Sequence, residues 1–303
     1  MGRGKSSTSL ALVEAAQEVL AQIQPASVRA VCYRLFTMGI IASMAKSETN
    51  RVSTQLTWAR EQRLIPWSWI VDETREAETV DAFRDPTEYI ETVKHAYRRD
   101  RWQDQPQWLE VWSEKGTIRG TLAPVLKEYG ITFRVMHGYG SSTALYEAAH
   151  ATRAAGRVLT VLYLGDWDPS GLHMSLVDLP TRLRHYGGLV DLHHLALTQE
   201  DTLDPALDLP SFDVETKGPR DGSRGDPRYR WFRDLCGRRC CELDALNPTL
   251  LRARVKQAIR DRLDLHQWEQ AGITEAAETE SLQTILNTWP GISGPASKYE
   301  ERP

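Results

Sequence analysis

The stretch Val158-Leu-Thr-Val-Leu-Tyr-Leu-Gly-Asp-Trp-Asp-Pro-Ser-Gly171 decides the fold of this chain. It begins as an apolar run, which is typical of a buried β-strand. The run stops at Gly165 and gives way to two acids, Asp166 and Asp168, where a helix-like segment begins. The stretch therefore predicts a buried strand that ends in an acidic turn and leads into a helix.

A second run has the same form earlier in the chain. Trp108-Leu-Glu-Val-Trp-Ser leads into Glu114-Lys-Gly-Thr, and a helix, a strand and another helix are expected between the two runs. In an open parallel sheet, active sites form outside the carboxyl ends of the strands, so Glu114, Asp166 and Asp168 are expected to converge there. Three hard oxygen ligands suit Mg²⁺ or Mn²⁺, which makes these acids a candidate metal site.

The competing interpretation is that such acids only cap the helices that follow them, as Asp168 before Pro169 is placed to do. The three acids in this order and this β-α-β-α-β setting resemble the Toprim domain shared by topoisomerases, primases and some nucleases. The resemblance covers roughly residues 107 to 196. It implies Mg²⁺-dependent phosphoryl-transfer chemistry on nucleic acid.

The length and composition favour a soluble enzyme with two domains. The chain has 303 residues, which is long for a single domain. No apolar stretch reaches membrane-spanning length, and the N-terminus lacks the apolar region of a signal peptide, so no membrane partner and a cytoplasmic, nucleoid-associated location are expected. Four cysteines are too few for a disulfide framework, which agrees with a reducing compartment.

The net charge of −4 hides two basic stretches. Residues 1–71 hold eight basic and four acidic side chains, a net +4, and residues 217–239 hold eight and three, a net +5. Charge runs are more often solvated faces than binding sites. Beside a candidate metal site, however, two of them favour contact with the phosphates of double-stranded DNA.

The N-terminal segment predicts a helix-turn-helix with a wing. Leu10 to Ile23 is amphipathic, Ser27 is placed to cap a helix to Met38, and Ser47 to cap another to Gln62, while the alternating run after Pro66 is expected to form the wing strand. Val52, Leu56 and Ala59 would face inward on the third helix. The outward side chains Lys46, Arg51 and Gln55 are the candidate DNA contacts.

Tyr33 is the second chemical candidate, because Arg29 precedes it by one helical turn. At this spacing the guanidinium lies on the same helix face as the phenol, where it could stabilise a phenolate or a pentavalent phosphorus. An ordinary tyrosine is protonated at neutral pH, with a pKa of roughly 10, and is a poor nucleophile without assistance. Taken by its pattern alone, Tyr33 between Cys32 and Leu35 is a packing residue.

The order of these parts resembles the A subunit of topoisomerase VI and the related meiotic double-strand-break transesterase, over roughly residues 10 to 265. The resemblance rests first on the Arg29-x-x-x-Tyr33 motif, which lies in a predicted winged helix ahead of a Toprim-like domain. It rests also on Glu242-Leu-Asp-Ala-Leu, which resembles the family's C-terminal segment. Cys32 replaces the aromatic residue that precedes the family's tyrosine. The short chain looks most like the stand-alone relatives called Mini-A.

The resemblance implies that Tyr33, assisted by Arg29, attacks a DNA phosphate and forms a 5′-phosphotyrosine link. It implies a homodimer in which the Tyr of one protomer meets the metal site of the other, and a possible GHKL ATPase B-type subunit acting in trans. One alternative is a Toprim nuclease that uses water, with Tyr33 structural. A second alternative is a winged-helix DNA-binding protein that does not cleave.

The expected fold is thus mixed α/β, a winged-helix (5Y-CAP-like) domain followed by a Toprim domain with a parallel sheet. The expected boundaries are a disordered arm at 1–9, the winged helix at 10–80, a connector at 81–106, the Toprim domain with a C-terminal helical extension at 107–290, and a disordered tail at 291–303. Polar, Pro-punctuated composition marks the connector, within which a short amphipathic helix is expected from Thr87 to Tyr97. In the C-terminal extension a long helix is expected from Cys241 through Leu265.

Overall fold

A computed structural model describes residues 5–71, 82–85, 88–89, 92–93, 96–136, 142–217 and 227–288. The described residues form a mixed α/β structure in two compact units. One unit comprises Met1–Arg75 and Gln107–Arg262, and the other comprises Glu76–Pro106 and Leu263–Pro303. The N-terminal helices and the parallel sheet therefore belong to the same unit.

In the first unit three helices come first, and strands connected by helices follow. They are α1 (Ser7–Ile23), α2 (Val28–Thr37), α3 (Lys46–Glu61), β1 (Trp108–Ser113), α4 (Arg119–Tyr129), β2 (Thr132–Val135), α5 (Ser142–Ala155), β3 (Leu159–Leu164), α6 (Pro169–His173), α7 (Leu179–His185), β4 (Val190–Ala196), α8 (Gln199–Leu203), β5 (Ser211–Asp213), α9 (Pro227–Cys236), β6 (Arg239–Cys241) and α10 (Pro248–Arg260). The second unit contains α11 (Leu265–Thr288).

The central sheet has four parallel strands in the order β2-β1-β3-β4. Its middle strand β3 is buried at every position, as the apolar run predicts, and Glu110 of β1 lies opposite Val161 of β3. The predicted β-α-β-α-β order is present between β1 and β3. Because the strands are parallel, the residues that follow β1 and β3 lie at the same edge of the sheet.

The three N-terminal helices enclose a core of their own, to which Leu20, Val31 and Leu35 contribute. The predicted inward residues Val52, Leu56 and Ala59 are buried in it.

The helix ends agree with the sequence-based prediction in part. Ser27 caps α2 by accepting a hydrogen bond from Ala30 N at 3.2 Å, as predicted. Ser47 does not cap α3, which begins one residue earlier, at Lys46, with Ala45 in the capping position and no side-chain cap. α1 begins at Ser7, ahead of the predicted Leu10, because the Ser6 hydroxyl accepts a hydrogen bond from Ser9 N.

The prediction of a wing strand after Pro66 is wrong, because Trp67–Trp69 forms a short 3₁₀ helix there. Pro66 fixes its own backbone and has no N–H to donate, which favours a turn over a sheet ladder. Ile70 then makes a single parallel bridge with Ala26. The described residues thus contain the three helices of the expected module but no wing strand at this position.

The predicted long helix from residue 241 to Leu265 is also interrupted. Cys241 belongs to β6, which pairs with β5, and α10 begins only at Pro248, where the Asn247 side chain accepts a hydrogen bond from Thr249 N at 2.9 Å. α10 ends at Arg260, and α11 begins in the other unit.

Contacts between the two parts of the second unit, Glu76–Pro106 and Leu263–Pro303, hold that unit together. Arg99 and Arg101 form ion pairs with Glu278 and Glu275 of α11, at 2.6 and 2.7 Å. The rings of Trp102 and Trp268 pack with centroids 5.7 Å apart. Residues 87, 90, 91, 94 and 95 of the short helix predicted at 87–97, and the predicted disordered tail, lie outside the described residues. Residues 88–89, 92–93 and 96 are helical.

The helices of the described part of the chain include none that combines the length and the apolar character needed to cross a membrane.

Candidate active site

The turn after β3 holds Asp166 and Asp168 almost completely buried. Asp168 caps α6, because its Oδ1 accepts hydrogen bonds from Ser170 N at 2.9 Å and Gly171 N at 2.8 Å. A Cβ at Gly171 would lie 2.5 Å from the Asp166 carbonyl oxygen, so only glycine fits this close approach of helix and turn. The capping role considered for Asp168 is therefore present.

Glu114 follows β1 and reaches across the sheet edge to this turn. Its Oε1 accepts a hydrogen bond from Asp166 N at 3.0 Å. Burial, together with the negative charges of Asp166 and Asp168, raises the pKa of Glu114 to about 7. The three predicted acids are thus close enough to repel one another, which is the situation that a bound cation relieves.

Lys115 lies among the carboxylates at this edge. Its Nζ is 2.7 Å from Asp166 Oδ1, 3.1 Å from Asp244 Oδ2 and 3.5 Å from Glu242 Oε2. Burial alone would lower the pKa of Lys115, but Asp244 and Asp166 outweigh it and raise that pKa. Lys115 is therefore the internal counter-ion of the acid cluster.

The segment with Glu242 and Asp244 is held against the acidic turn by backbone pairing. Trp167 and Cys241 exchange two hydrogen bonds of 3.0 Å in an isolated antiparallel bridge. Leu243 N then donates to Asp166 Oδ1 at 2.7 Å. No role was predicted for Glu242 and Asp244 from the sequence. The two acids, spaced by one residue and followed by a helix, were the available signal.

Arg29 joins the N-terminal helices to this cluster. It forms an ion pair with Glu242, and its Nε lies 3.0 Å from Asp244 Oδ2. Its Nη2 donates to the Tyr33 hydroxyl at 3.4 Å, and its guanidinium lies 5.5 Å from the centre of the Tyr33 ring. The predicted Arg29–Tyr33 pairing on one helix face is present.

Tyr33 itself is only 6% exposed. Burial and the charge of Glu242 raise the pKa of the Tyr33 phenol, and Arg29 and Lys115 oppose that shift without cancelling it. The hydroxyl is therefore protonated at neutral pH in this conformation. The expectation that Tyr33 meets the metal site of a different protomer stays a prediction. In this chain Arg29, beside Tyr33, contacts Glu242 and Asp244 of the same chain.

The acid cluster does not have a preformed metal site in this conformation. Within the described ranges, no group of three or more His, Cys, Asp or Glu side chains has the arrangement of a metal site. In this conformation Asp166 Oδ1 contacts Lys115 and Leu243 N, and Asp168 Oδ1 caps α6. The oxygen donors and the crowded negative charge suit Mg²⁺ or Mn²⁺, but binding requires the Asp166 side chain to leave Lys115.

The three predicted DNA contacts lie together on α3. Lys46 and Arg51 are exposed, and Arg51 pairs with Glu48 at 2.7 Å. Gln55 is half-buried and accepts a hydrogen bond from Lys5 Nζ at 2.7 Å. Lys5 therefore places a further positive charge beside Gln55.

The second basic stretch is partly neutralised by neighbouring acids. Arg233 pairs with Asp234 at 3.1 Å, and Arg238 pairs with Asp213 and Glu215 at 2.9 Å each. Residues 218–226 of the stretch lie outside the described residues. In both candidate phosphate contacts, α3 and the second basic stretch, described arginines are thus paired with neighbouring acids.

Comparisons with known proteins assign no family to this chain. No protein-family model matches the sequence, and no curated protein matches it. The chemistry of the site is consequently inferred from its own residues, distances and charges.

Proposed function

We propose that this protein cuts double-stranded DNA by transesterification, with Tyr33 as the nucleophile. Mg²⁺ or Mn²⁺ held by Glu114, Asp166 and Asp168 would serve as cofactor, supplying positive charge that orients the scissile phosphate and offsets its developing negative charge. The activity is of the DNA topoisomerase type, in which a protein–DNA bond conserves the energy of the broken phosphodiester.

The observation that carries this proposal is a continuous series of polar contacts from the tyrosine to the acids. Arg29 donates a hydrogen bond to the Tyr33 hydroxyl and forms an ion pair with Glu242. Lys115 in turn forms ion pairs with Glu242 and Asp166. A nucleophile, two cations and a buried acid cluster thus share one site. Phosphoryl transfer needs these parts, because positioning and charge stabilisation supply most of its catalysis.

In the proposed reaction, the Tyr33 oxygen attacks the phosphorus and the bond from phosphorus to the 3′ oxygen breaks. The DNA keeps a 5′-phosphotyrosine end and a 3′-hydroxyl, which takes up a proton in exchange for the one that the phenol loses. Arg29 would stabilise the phenolate and the charge on the phosphate oxygens. Burial of Tyr33 keeps water away from the nucleophile.

A water-using Toprim nuclease is the alternative that one observation favours. Tyr33 is buried and its phenol has a raised pKa, which is also the state of a packing tyrosine. In that reaction the acids and metal act alone and Tyr33 only supports α2. A non-cleaving DNA-binding protein is the second alternative, in which α3 binds DNA and the acid cluster is structural.

The proposal includes partners and a cellular location. Each chain would supply one cleavage site, so cutting both strands calls for a homodimer. A GHKL ATPase subunit acting in trans would be needed only if cleavage is coupled to strand passage. A cytoplasmic, nucleoid-associated location belongs to the same proposal, since the substrate is DNA.

The test is to incubate the protein with Mg²⁺ or Mn²⁺ and end-labelled duplex DNA, and then to denature it with detergent. Transesterification predicts that protein is linked to the 5′ ends at the breaks and that protease digestion shortens the adduct to a peptide. Free 5′ ends at all breaks would contradict the proposal and favour the nuclease.

A further inference from the structure

We propose that Arg29 and Lys115 form a phosphodiester-binding site that the chain itself fills, in the absence of DNA, with the carboxylates of Glu242 and Asp244. This inference rests on the proposed function, because it names the groups that would hold the scissile phosphate beside Tyr33. It adds Lys115 to the catalytic groups and makes Glu242 a displaceable internal anion.

The two cations share the same pair of carboxylates. Arg29 contacts Glu242 and Asp244, and Lys115 contacts Glu242 at 3.5 Å and Asp244 at 3.1 Å. Two cations that converge on oxygen atoms from both sides are also the arrangement that a phosphodiester requires. The carboxylate oxygens therefore stand where the oxygens of a phosphate would be bound.

Arg29 and Glu242 also lie next to the nucleophile. The Nη2 atom of Arg29 bonds to Glu242 and also to the Tyr33 hydroxyl, the latter at 3.4 Å. An anion that replaced Glu242 on this nitrogen would lie within reach of the Tyr33 oxygen. A phosphate bound elsewhere in the site would not have this relation to the tyrosine.

A phosphate cannot simply join the two carboxylates, because like charges at hydrogen-bonding distance repel strongly. Glu242 is the carboxylate that would leave, since its side chain is 27% exposed against 3% for Asp244. Asp244 is held further by Thr117, whose hydroxyl donates to it at 3.3 Å. Asp244 would stay and keep Arg29 and Lys115 in place.

The charge state of Glu242 fits an internal anion better than a proton acceptor. Burial would raise the pKa of Glu242, but Lys115 and Arg29 outweigh it and lower that pKa. Glu242 therefore stays ionised at neutral pH and is a weak base. Its charge also opposes ionisation of Tyr33, so displacing it would remove one obstacle to the nucleophile.

The inference is tested by measuring DNA affinity under conditions in which the protein cannot cut DNA. Binding of a short end-labelled duplex is measured with Tyr33→Phe protein in a metal chelator, with and without Glu242→Gln. Glu242→Gln should bind DNA about five- to tenfold more tightly, because the phosphate no longer competes with a carboxylate for Arg29 and Lys115. Glu242→Ala, made in parallel, should give the same direction and covers the case in which the Gln variant does not fold.

Glu128→Gln is the matched control. Glu128 also pairs with a lysine, Lys256, at 2.8 Å, but on the exposed side of α4. This change alters the net charge by the same amount and should leave the affinity within about twofold of the parent protein, since it uncovers no cation beside Tyr33.

A double-mutant comparison separates displacement from general repulsion. When Arg29 is replaced by Met, the gain from Glu242→Gln should largely disappear, because the released cation is absent. A gain that persists unchanged in the Arg29→Met background, or that Glu128→Gln reproduces, would overturn the inference. So would unchanged or weaker binding by both Glu242 variants.

Failure of the inference and failure of the proposed function give different results. If wild-type protein forms 5′-linked DNA and Glu242 variants show no gain in affinity, only the phosphate-site inference is overturned. If wild-type protein neither binds nor cuts duplex DNA, the proposed function is overturned and the inference falls with it.

Discussion

The Nζ of Lys115 lies 2.7 Å from Oδ1 of Asp166, inside the cluster that was expected to hold a metal. The lysine thus supplies the positive charge that the acids need when no cation is bound. A divalent metal and Lys115 would compete for Asp166. Metal binding is consequently expected to move Lys115 away from Asp166 and toward Asp244 and Glu242, which it already contacts.

The first prediction is that Asp166→Asn lowers Mn²⁺ affinity at least about tenfold and abolishes cleavage, while the fold is kept. The change removes charge but little volume, and the amide oxygen can still accept the hydrogen bond from Leu243 N. Lys115 keeps Asp244 and Glu242 as partners. Isothermal titration with Mn²⁺ measures the affinity, and thermal melting checks the fold. Glu114→Gln and Asp168→Asn should act in the same direction.

Asp178→Asn is the control for this series, because Asp178 pairs with Arg182 on the helical run after β3 and is not part of the acid cluster. It should leave Mn²⁺ binding unchanged. Equal Mn²⁺ affinity in wild type and Asp166→Asn would remove Asp166 from the site.

The second prediction concerns Glu114, whose folded-state pKa of about 7 lies above its ordinary value of 4.5. Between these two pH values the folded protein binds a proton that the unfolded chain does not. Metal-free protein should therefore lose stability as the pH rises from about 5 to 8. The test is to compare melting temperatures across this range, in a chelator, for wild type and Glu114→Gln.

The variant should show a flatter pH dependence, since its amide does not titrate. Bound Mn²⁺ should reverse the trend in the wild type, because the metal requires ionised Glu114 and binds more tightly as the pH rises. Parallel curves for both proteins would show that Glu114 does not titrate in this range.

The sequence predicted the parts of this structure that depend on local pattern. The apolar run of β3 and the acids after β1 and β3 could be placed because parallel strands end at the same sheet edge. Ser27 could be recognised as a cap, but Ala45 could not, because the start of α3 depends on packing rather than on a capping side chain.

The rest of the site depends on contacts between residues far apart in sequence. Arg29 and Glu242 are separated by 213 positions, and nothing in either local pattern reveals their pairing. The same holds for Lys115, which follows a recognised acid but acquires its role from Asp244 and Asp166. The alternating side chains after Pro66 misled the prediction of a wing, because they fit a 3₁₀ turn as well as a strand.

The third prediction is that Lys46→Ala and Arg51→Ala weaken DNA binding and reduce its salt dependence. Each phosphate contact releases counterions, so each loss should lower the slope of log K against log salt by about one unit. Lys127→Ala, an equal charge change on α4, should leave the slope unchanged. An unaltered slope for both α3 variants would show that this face does not contact the DNA backbone.

Gln55 is expected to affect sequence preference rather than salt dependence, because it carries no charge. Its Oε1 accepts a hydrogen bond from Lys5 Nζ at 2.7 Å. Gln55→Ala should reduce affinity for some DNA sequences more than for others and leave the salt slope nearly unchanged. A uniform loss across sequences would assign Gln55 a supporting role for Lys5 instead.

The fourth prediction follows from the contacts that link Tyr33 through Arg29 to acids of its own chain. A mixture of Tyr33→Phe and Asp166→Asn proteins should not recover cleavage, since no chain in the mixture contains both groups. If the Tyr of one protomer instead served the acids of the other, mixed dimers would hold one intact site and would nick DNA. Recovery of nicking after the two variants are refolded together would establish the trans arrangement.

The last prediction separates the two enzyme alternatives, and it concerns the hydroxyl of Tyr33. Tyr33→Phe removes the 3.4 Å hydrogen bond from Arg29 and the hydrogen bond of the hydroxyl with Glu242, and should cost about 2 kcal/mol of stability or less, so DNA and metal binding should survive. A transesterase would lose its nucleophile and form no 5′-linked DNA. A water-using nuclease would keep cutting, because its metal and acids are unchanged.

The measurement is detergent denaturation of cleavage reactions with supercoiled or end-labelled DNA, followed by a search for protein-bound ends before and after protease. Tyr146→Phe is the control, since Tyr146 is 50% exposed and lies on α5, in contact with His150 and Tyr186 rather than with the acid cluster. It should form as much linked DNA as the wild type. Undiminished cleavage by Tyr33→Phe would make Tyr33 a packing residue and leave Glu114, Asp166 and Asp168 as the site of a hydrolytic nuclease.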